Sequence, residues 1–551
     1  MPGPVRNLTQ LSRTLLRLPV EAQALATLVA SGMVGAERPD RLFAMYQALD
    51  RYGAMGAAST VAAIRYGDRP AVVDELGTVT FAEMDRRSNA LANALRARGV
   101  AEDSRVGILC RNHRGIYDAS HAALKLGARV LFLNTDFSGP QAAEVSEREA
   151  LDTIIYDEEF AETVAAVRAR NGRYIAWTEG TSREGDPTLA SMIAAGNPEP
   201  PAPPFGHGSV IILTSGTTGA PKGATTAQPR SLVAPAAILS RIPFRSREAS
   251  FIASPAYHAW GLGTSVLMLA LGSTIVLRRR FDPDQVLVAL AEHRCSSLVL
   301  VPAMLNRLVS LGTDRIAAAD LASLRIIASS GAQLDAALCR KTMDAFGDVL
   351  YNLYGSTEVA WATIATPDDL EAAPGTAGKA PLGTTVRIYD DAGTQVQIGT
   401  VGRIFVGSGM EFGGYTGGGS KETIDGLMST GDVGHFDESG RLFIDGRADE
   451  MIVSGGENVY PAEVEDLLSS HESILEAAAI GVKDPDFGQR LRVFVVVRSG
   501  HTVDEGAVKD FVRANLARYK VPRDVVFVDK LPRNPSGKVL KRQLAEHQLD
   551  E

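Results

Sequence analysis

A chain of 551 residues exceeds what one hydrophobic core organises, so two or more domains are expected. Its 45% hydrophobic and 22% charged residues are those of a globular protein in water. The net charge of −9 excludes an ordinary basic nucleic-acid surface, and no run reaches the ~18 apolar residues of a membrane-spanning helix.

Residues 1–55 read as a helical extension. Leu8, Leu11, Leu15 and Leu18 recur at helical spacing, with Arg6, Arg13 and Arg17 nearby. Arg13, Arg17 and Glu21 interrupt any apolar core of a signal peptide. A helix docked on the main body and a surface helix touching membrane are both open; docking is the more ordinary account.

A strand–helix–strand rhythm follows. Strands are expected at 105–110, 129–134 and 152–157, with a helix at about 115–126, which implies a parallel sheet with right-handed crossovers. The Pro-rich stretch 196–204 is a stiff connector into a strand at 209–213. Further strands are expected at 298–301 and 324–328. After Gly375 the pattern changes to short strands with glycine turns, at 403–406 and 441–444, as in a small β-rich subdomain. From about Ala448 an α+β unit begins, with a helix at 461–468 started by Pro461 and a strand at 493–497. Cys110, Cys295 and Cys339 lie far apart in no metal spacing and read as buried thiols of a reducing compartment, so a cytoplasmic location is expected.

The strand at 209–213 runs into Thr214-Ser215-Gly216-Thr217-Thr218-Gly219-Ala220-Pro221-Lys222-Gly223. Its glycines allow close backbone approach, successive N–H groups can cradle phosphate oxygens, and Lys222 adds a cation. The spacing is not that of a Walker loop. Four further segments stand in order: Tyr354-Gly355-Ser356-Thr357-Glu358, Ser429-Thr430-Gly431-Asp432, Gly446-Arg447-Ala448-Asp449-Glu450, and Leu531-Pro532-Arg533-Asn534-Pro535-Ser536-Gly537-Lys538. Together these motifs resemble the adenylate-forming superfamily of acyl-CoA synthetases, luciferases and peptide-synthetase adenylation domains, over about residues 56 to 545.

The resemblance implies an α/β fold: a large domain of mixed and parallel α/β sheets plus a β-rich subdomain (56–447), and a small mobile C-terminal α+β lid (448–551). It implies an ATP-dependent acid–thiol ligase. A carboxylate attacks the α-phosphorus of ATP, pyrophosphate leaves, and a thiol then displaces AMP. ATP, Mg²⁺ and CoA are the implied cofactors and co-substrates, with small-molecule partners, no nucleic acid, and a monomer or homodimer. In this reading the 214–219 loop and Lys222 hold phosphates, and Glu358, with Thr218, ligates Mg²⁺. Thr357 contacts the α-phosphate. Tyr354, Gly355, Ser356 and the Ser330-Gly331-Ala332-Gln333 segment form the adenine site, Asp432 takes the ribose hydroxyls, and Arg447 bridges ribose and phosphate. Lys538 reaches from the lid to the reacting oxygens, Asp449 is the hinge, and Ser454, Gly455 and Gly456 lie beside the pantetheine arm.

The acid pocket is expected around Pro255-Ala256-Tyr257-His258-Ala259-Trp260-Gly261. Amino-acid-activating relatives carry an aspartate in this region; here it is absent, so an apolar acid is favoured. Tyr257, Trp260, Gly261, Met304, Ser330, Val359 and Trp361 are the candidate lining. Trp260 is either a gate or plain packing, and His258 either orients the carboxylate or is a satisfied pocket histidine. The chain looks most like bacterial medium- to long-chain fatty-acid–CoA ligases, so a fatty acyl-CoA synthetase is expected first. A fatty acyl-AMP ligase loading a carrier protein and an aryl-acid–CoA ligase are the alternatives. Two segments depart from the pattern: Ala224-Thr225-Thr226-Ala227-Gln228-Pro229 lacks the usual Thr-His, and Gly413–Gly419 is unusually glycine-rich.

Overall fold

The computed structural model describes residues 4–180, 185–214, 222–226, 231–410, 412–448, 450–454, 457–484, 488–534 and 537–546. Among these residues the strands form four sheets.

The first sheet has eight strands. Its interior strands, Pro70–Asp74, Thr274–Val276, Ala249–Ile252, Ser297–Leu300, Ile326–Ser329 and Leu350–Tyr354, run parallel. Gly77–Thr80 and Thr363–Ala365 close its edges antiparallel. Strands covered on both faces read as nearly continuous apolar runs; all four residues of Ser297–Leu300 and of Ile326–Ser329 are buried, the two serines being the polar exceptions. The second sheet, of seven strands, sets Arg105–Leu109, Arg129–Phe132, Thr153–Asp157, Arg173–Trp177 and Ser209–Thr214 in parallel. The expectation of a parallel sheet holds for this core but not for its end. Lys222–Thr226 folds back antiparallel on Ser209–Thr214, and Phe412–Tyr415 joins it antiparallel.

The third sheet is antiparallel and built from Thr385–Tyr389, Gly402–Gly407, Leu427–Phe436, Thr423–Ile424 and Leu442–Arg447. The fourth lies wholly after residue 451; its strands Ile474–Asp484 and Gly488–Val497 are packed by helices Pro461–Ser469 and Glu505–Asn515 around a separate apolar cluster.

The N-terminal segment forms helices Pro4–Ser31 and Pro39–Gly56. Ala24 and Leu28 of the first are buried in the main core, while Leu18, Leu25 and Val29 are about half exposed. One face therefore docks on the main body, as the more ordinary sequence account expects. Helix Arg114–Lys125 starts on a His113 cap and ends on the fully buried Lys125. Three acceptors satisfy the Lys125 ammonium: Asp85 at 2.6 Å, Ser88 at 2.8 Å and Asn89 at 2.6 Å, all on helix Phe81–Arg96. An unpaired buried ammonium would cost several kcal/mol, so this network locks the two helices together.

All three cysteines are buried and free. Cys110 lies near His113 and Asp157, but both His113 ring nitrogens are committed, Nε2 to Asp157 at 2.7 Å and Nδ1 to the Gly115 N–H at 3.0 Å. The group is a structural knot.

Candidate active site

Strand Leu350–Tyr354 delivers the Tyr354–Glu358 segment to the edge of a cavity of about 1380 Å³. Any Cβ at Gly355 would strike the Ala360 carbonyl, so only glycine lets the chain double back here. The Glu358 carboxylate accepts from Ser356 Oγ at 2.8 Å and from the Tyr415 hydroxyl at 2.7 Å. Burial alone would raise its pKa; these two donors, with its own backbone N–H and the nearby Lys421 charge, together outweigh burial and hold it below the ordinary carboxylate value. The result is an oriented, ionised carboxylate bordering the cavity, with Thr357 beside it.

Asp432 sits on Leu427–Phe436, directly across from Arg447 on Leu442–Arg447. Its two oxygens accept from Tyr354 OH at 2.6 Å and Arg447 Nη1 at 2.9 Å. Burial and the adjacent Asp432 charge push the Tyr354 phenol well above its ordinary value, so it stays a neutral donor. Ser330, Gly331, Ala332 and Gln333 line the neighbouring wall, with Gly331 at φ +91°.

The Lys538 loop comes from the small unit. Asn534 N donates to Lys538 O at 2.9 Å, and Lys538 N to Asn534 Oδ1 at 2.8 Å. Gly537 seats this turn on the helix Pro302–Val309 of the large unit, where an added Cβ would lie 2.5 Å from that of Ala303. The exposed Lys538 thereby borders the same cavity as Glu358. A second tie across the units is Gln333 Nε2 donating to Asp466 Oδ2 at 2.9 Å. Asp466 is exposed on its cavity side, yet protein surrounds the rest of it. That enclosure, with Asp335 and Glu465 nearby, pushes its pKa up to about 7.

The apolar end of the cavity is walled by Tyr257, Trp260 and Trp361, with Phe132 and Phe137. Tyr257 OH accepts from Thr135 at 3.0 Å, and burial pushes its pKa to about 12. Trp260 Nε1 donates to Leu300 O at 3.2 Å, which holds the indole against the cavity wall. His258 caps helix Ala259–Leu271; burial lowers its pKa to about 4, and its Nε2 has no hydrogen-bond partner. At neutral pH it is therefore a neutral imidazole that borders the cavity with an unpartnered Nε2.

Three expected lining residues lie elsewhere. Met304 packs into the core around Leu300 and Leu305. On its helix Pro302, Ala303, Asn306 and Arg307 face the cavity, and one step along a helix turns a side chain by about 100°. Val359 is buried in the β-rich core with Ala377 and Ile404. Gly261 backs onto the Ser254 and Pro255 carbonyls, so it serves helix packing and leaves no room for a ligand; Gly263, by contrast, opens onto the cavity.

Ser215, Gly216, Thr217, Thr218, Gly219, Asp449, Gly455 and Gly456 lie outside the described residues. Thr214 and Lys222 are the facing ends of two antiparallel strands, and Ser454 ends strand Ile452–Ser454. Several cavity residues escaped the sequence reading, Asn352 and Tyr415 among them. Asn352 is buried with an unpartnered Oδ1, two positions before Tyr354 on the same strand face; that alternation was the available signal. Tyr415 reaches Glu358 only through the pairing of Phe412–Tyr415 with Lys222–Thr226, for which the sequence holds no local sign.

The chain matches the model of the AMP-binding enzyme family over residues 60–416 and that family's C-terminal domain over 463–538. It is 32% identical over 501 residues to the indoleacetate–CoA ligase of Aromatoleum aromaticum, covering 90% of this chain and 96% of that one. It is 30% identical over 475 residues to the long-chain-fatty-acid–CoA ligase FadD13 of Mycobacterium tuberculosis, covering 85% and 93%. A solved structure of o-succinylbenzoate CoA synthetase from Bacillus subtilis, in complex with an acyl-adenylate intermediate, superposes with TM-score 0.78 at 27% identity, covering 90% of this chain and 99% of that one. With its large α/β unit, its small C-terminal unit and the cavity between them, the chain belongs to the AMP-binding enzymes of the adenylate-forming superfamily.

Proposed function

We propose that the protein joins an apolar carboxylic acid to CoA at the expense of ATP, through an acyl-adenylate. One observation carries this reading. A single cavity gathers an ionised carboxylate (Glu358), a ribose-type acceptor (Asp432 with Arg447), a cation from the small unit (Lys538) and an apolar pocket. Acyl adenylation needs charge neutralisation, in-line positioning and exclusion of water, and no protein nucleophile.

Asp432 would exchange its present donors for ribose hydroxyls, and the free Asn352 oxygen suits the exocyclic amine of adenine. Lys538 would stabilise charge building on the α-phosphate and the attacking carboxylate. His258, neutral and unpartnered, suits the substrate carboxylate better than an imidazolium would, since it adds orientation without a competing ion pair. Glu358 fits a Mg²⁺ site, because it is an ionised hard-oxygen donor already fixed in direction. Bound there, Mg²⁺ would offset charge on the phosphate oxygens. The phosphate loop, the Asp449 hinge and the 454–456 pantetheine turn complete this reading as motif-based assignments.

The acid is the finer question. The sequence puts fatty acids first. The aromatic walls, together with the likeness to an indoleacetate ligase and an o-succinylbenzoate synthetase, support an aryl or arylalkyl acid ahead of them. A fatty acid is the second reading, supported by the cavity's reach and the likeness to a long-chain ligase. The test is AMP release with ATP, Mg²⁺ and a panel of aryl, arylalkyl and straight-chain acids, with and without CoA, and the thioester weighed by mass spectrometry. Aryl- or arylalkyl-CoA as the main product is expected. Adenylate without thioester would transfer the acceptor role to a carrier protein.

A further inference from the structure

The cavity has a far end that the chemistry above does not use. Its wall follows the strand Ser209–Thr214 backwards through Leu213, Ile212 and Val210 to Ser209. At about 3.3 Å per residue this places Ser209 some 16 Å from the end that meets the nucleotide-binding residues. The facing wall is helix Ala259–Leu271, which lines the cavity from Trp260 past Gly263 to Val266.

At that far end stands Met55, which comes from the N-terminal extension. Gly56 and Gly208 both abut the Leu124 carbonyl, so Met55 and Ser209 are held side by side. The extension is fixed at this point by three contacts. Tyr52, 2% exposed, donates its hydroxyl to Pro201 O at 2.6 Å. His207 Nε2 lies 3.2 Å from Asp50 O. The helix breaks at Gly53 (φ 71°), where a Cβ would sit 2.7 Å from the His207 ring. The break redirects the chain so that Met55 enters the cavity while Ala48 and Tyr52 stay packed. The Leu124 carbonyl itself is braced by the neighbouring Lys125 network.

We propose that the N-terminal extension forms the floor of the acid-binding channel and that Met55 sets the longest acid the enzyme accepts. The inference rests on the ligase reading and adds to it a residue that precedes the family-matched region. Methionine suits this post: it is unbranched, apolar and deformable, so it closes the channel without shaping it to one tail. Shortening it lengthens the channel by several ångströms, and a larger ring there fills the space beside Ser209.

The test uses the full chain. ω-Phenylalkanoic acids and straight-chain acids of graded length compete in one mixture with ATP, Mg²⁺ and CoA, and the thioesters are quantified by mass. With Met55→Ala, preference shifts towards acids at least two carbons longer, and the long-to-short ratio of kcat/KM rises tenfold or more. With Met55→Trp the ratio falls; should that variant fail to fold, Met55→Phe gives the same direction. An active Met55→Ala enzyme with the wild-type length profile overturns the proposal while the ligase reading stands. A wild-type protein that forms neither adenylate nor thioester from any acid overturns both.

Discussion

Glu358 keeps its charge because two hydroxyl donors, Tyr415 and Ser356, together with its own backbone N–H and the Lys421 charge, outweigh its burial. Glu358→Gln preserves shape but removes that charge, and pyrophosphate exchange is expected to fall by about 10²-fold or more. Tyr415→Phe frees one oxygen without removing the charge and is expected to cost less. If both variants exchange pyrophosphate at the wild-type rate, Glu358 is only structural. In the proposed reaction Lys538 acts in the adenylation step alone. Lys538→Ala is expected to lose adenylate formation while acyl transfer from supplied acyl-adenylate persists within about tenfold. Equal loss in both half-reactions would refute that division.

Among the described residues, the ties that hold the small unit over the cavity include the Gly537 turn on Ala303, Gln333 to Asp466, and Tyr460 beside Gly446. Lys541, on the last described helix, bonds Glu450 at 2.9 Å and Glu465 at 3.0 Å, joining that helix to the segment after the family's hinge position. In the proposed reaction the small unit would leave after adenylation, and these local ties are the ones that would have to open. The Asp466 tie carries a pH sign. Its carboxyl, raised from the ordinary 3.8 to about 7 in the docked arrangement, prefers its proton there. Docking therefore weakens progressively as pH rises from about 4 to about 7 and is level above that. The ratio of adenylation to thioester-forming rate is expected to fall between pH 5.5 and 7. Asp466→Asn, which cannot ionise, should flatten that slope; a slope that survives it would acquit Asp466. Because Asp466 is exposed on its cavity side, the effect is modest.

For the whole molecule, burial lowers His121 and His258 to about 4 from an ordinary 6.5. The unfolded chain takes up protons that the fold refuses. Their contribution to stability is present above pH 6.5 and is lost as pH falls from 6.5 towards 4, at about 1.4 kcal/mol per pH unit for each. The denaturant midpoint is expected to be lower at pH 5 than at pH 7. Equal midpoints would mean that both rings accept a proton within the fold.

Chemistry carried by neighbours in the chain was legible as motifs that resemble a known family: the carboxylate after the glycine turn at 354–358 and the lysine that ends the segment 533–538. Several parallel core strands were legible too, at 105–110, 129–134, 152–157, 209–213, 298–301 and 324–328, since burial on both faces favours a nearly continuous apolar run. Pro70–Asp74, Arg173–Trp177, Ala249–Ile252, Thr274–Val276 and Leu350–Tyr354 were not. The tertiary structure decided what depends on side-chain direction and on contacts distant along the chain. Ala303 and not Met304 faces the cavity, because one helical step separates them by about 100°. Tyr415 finds Glu358 across 57 residues, and Gln333 finds Asp466 across 133. Met55 reaches the acid channel only because a broken helix from the extension packs against the start of a strand that is more than 150 residues away. No local pattern encodes such a meeting, because it is the packing of whole elements that brings the residues together.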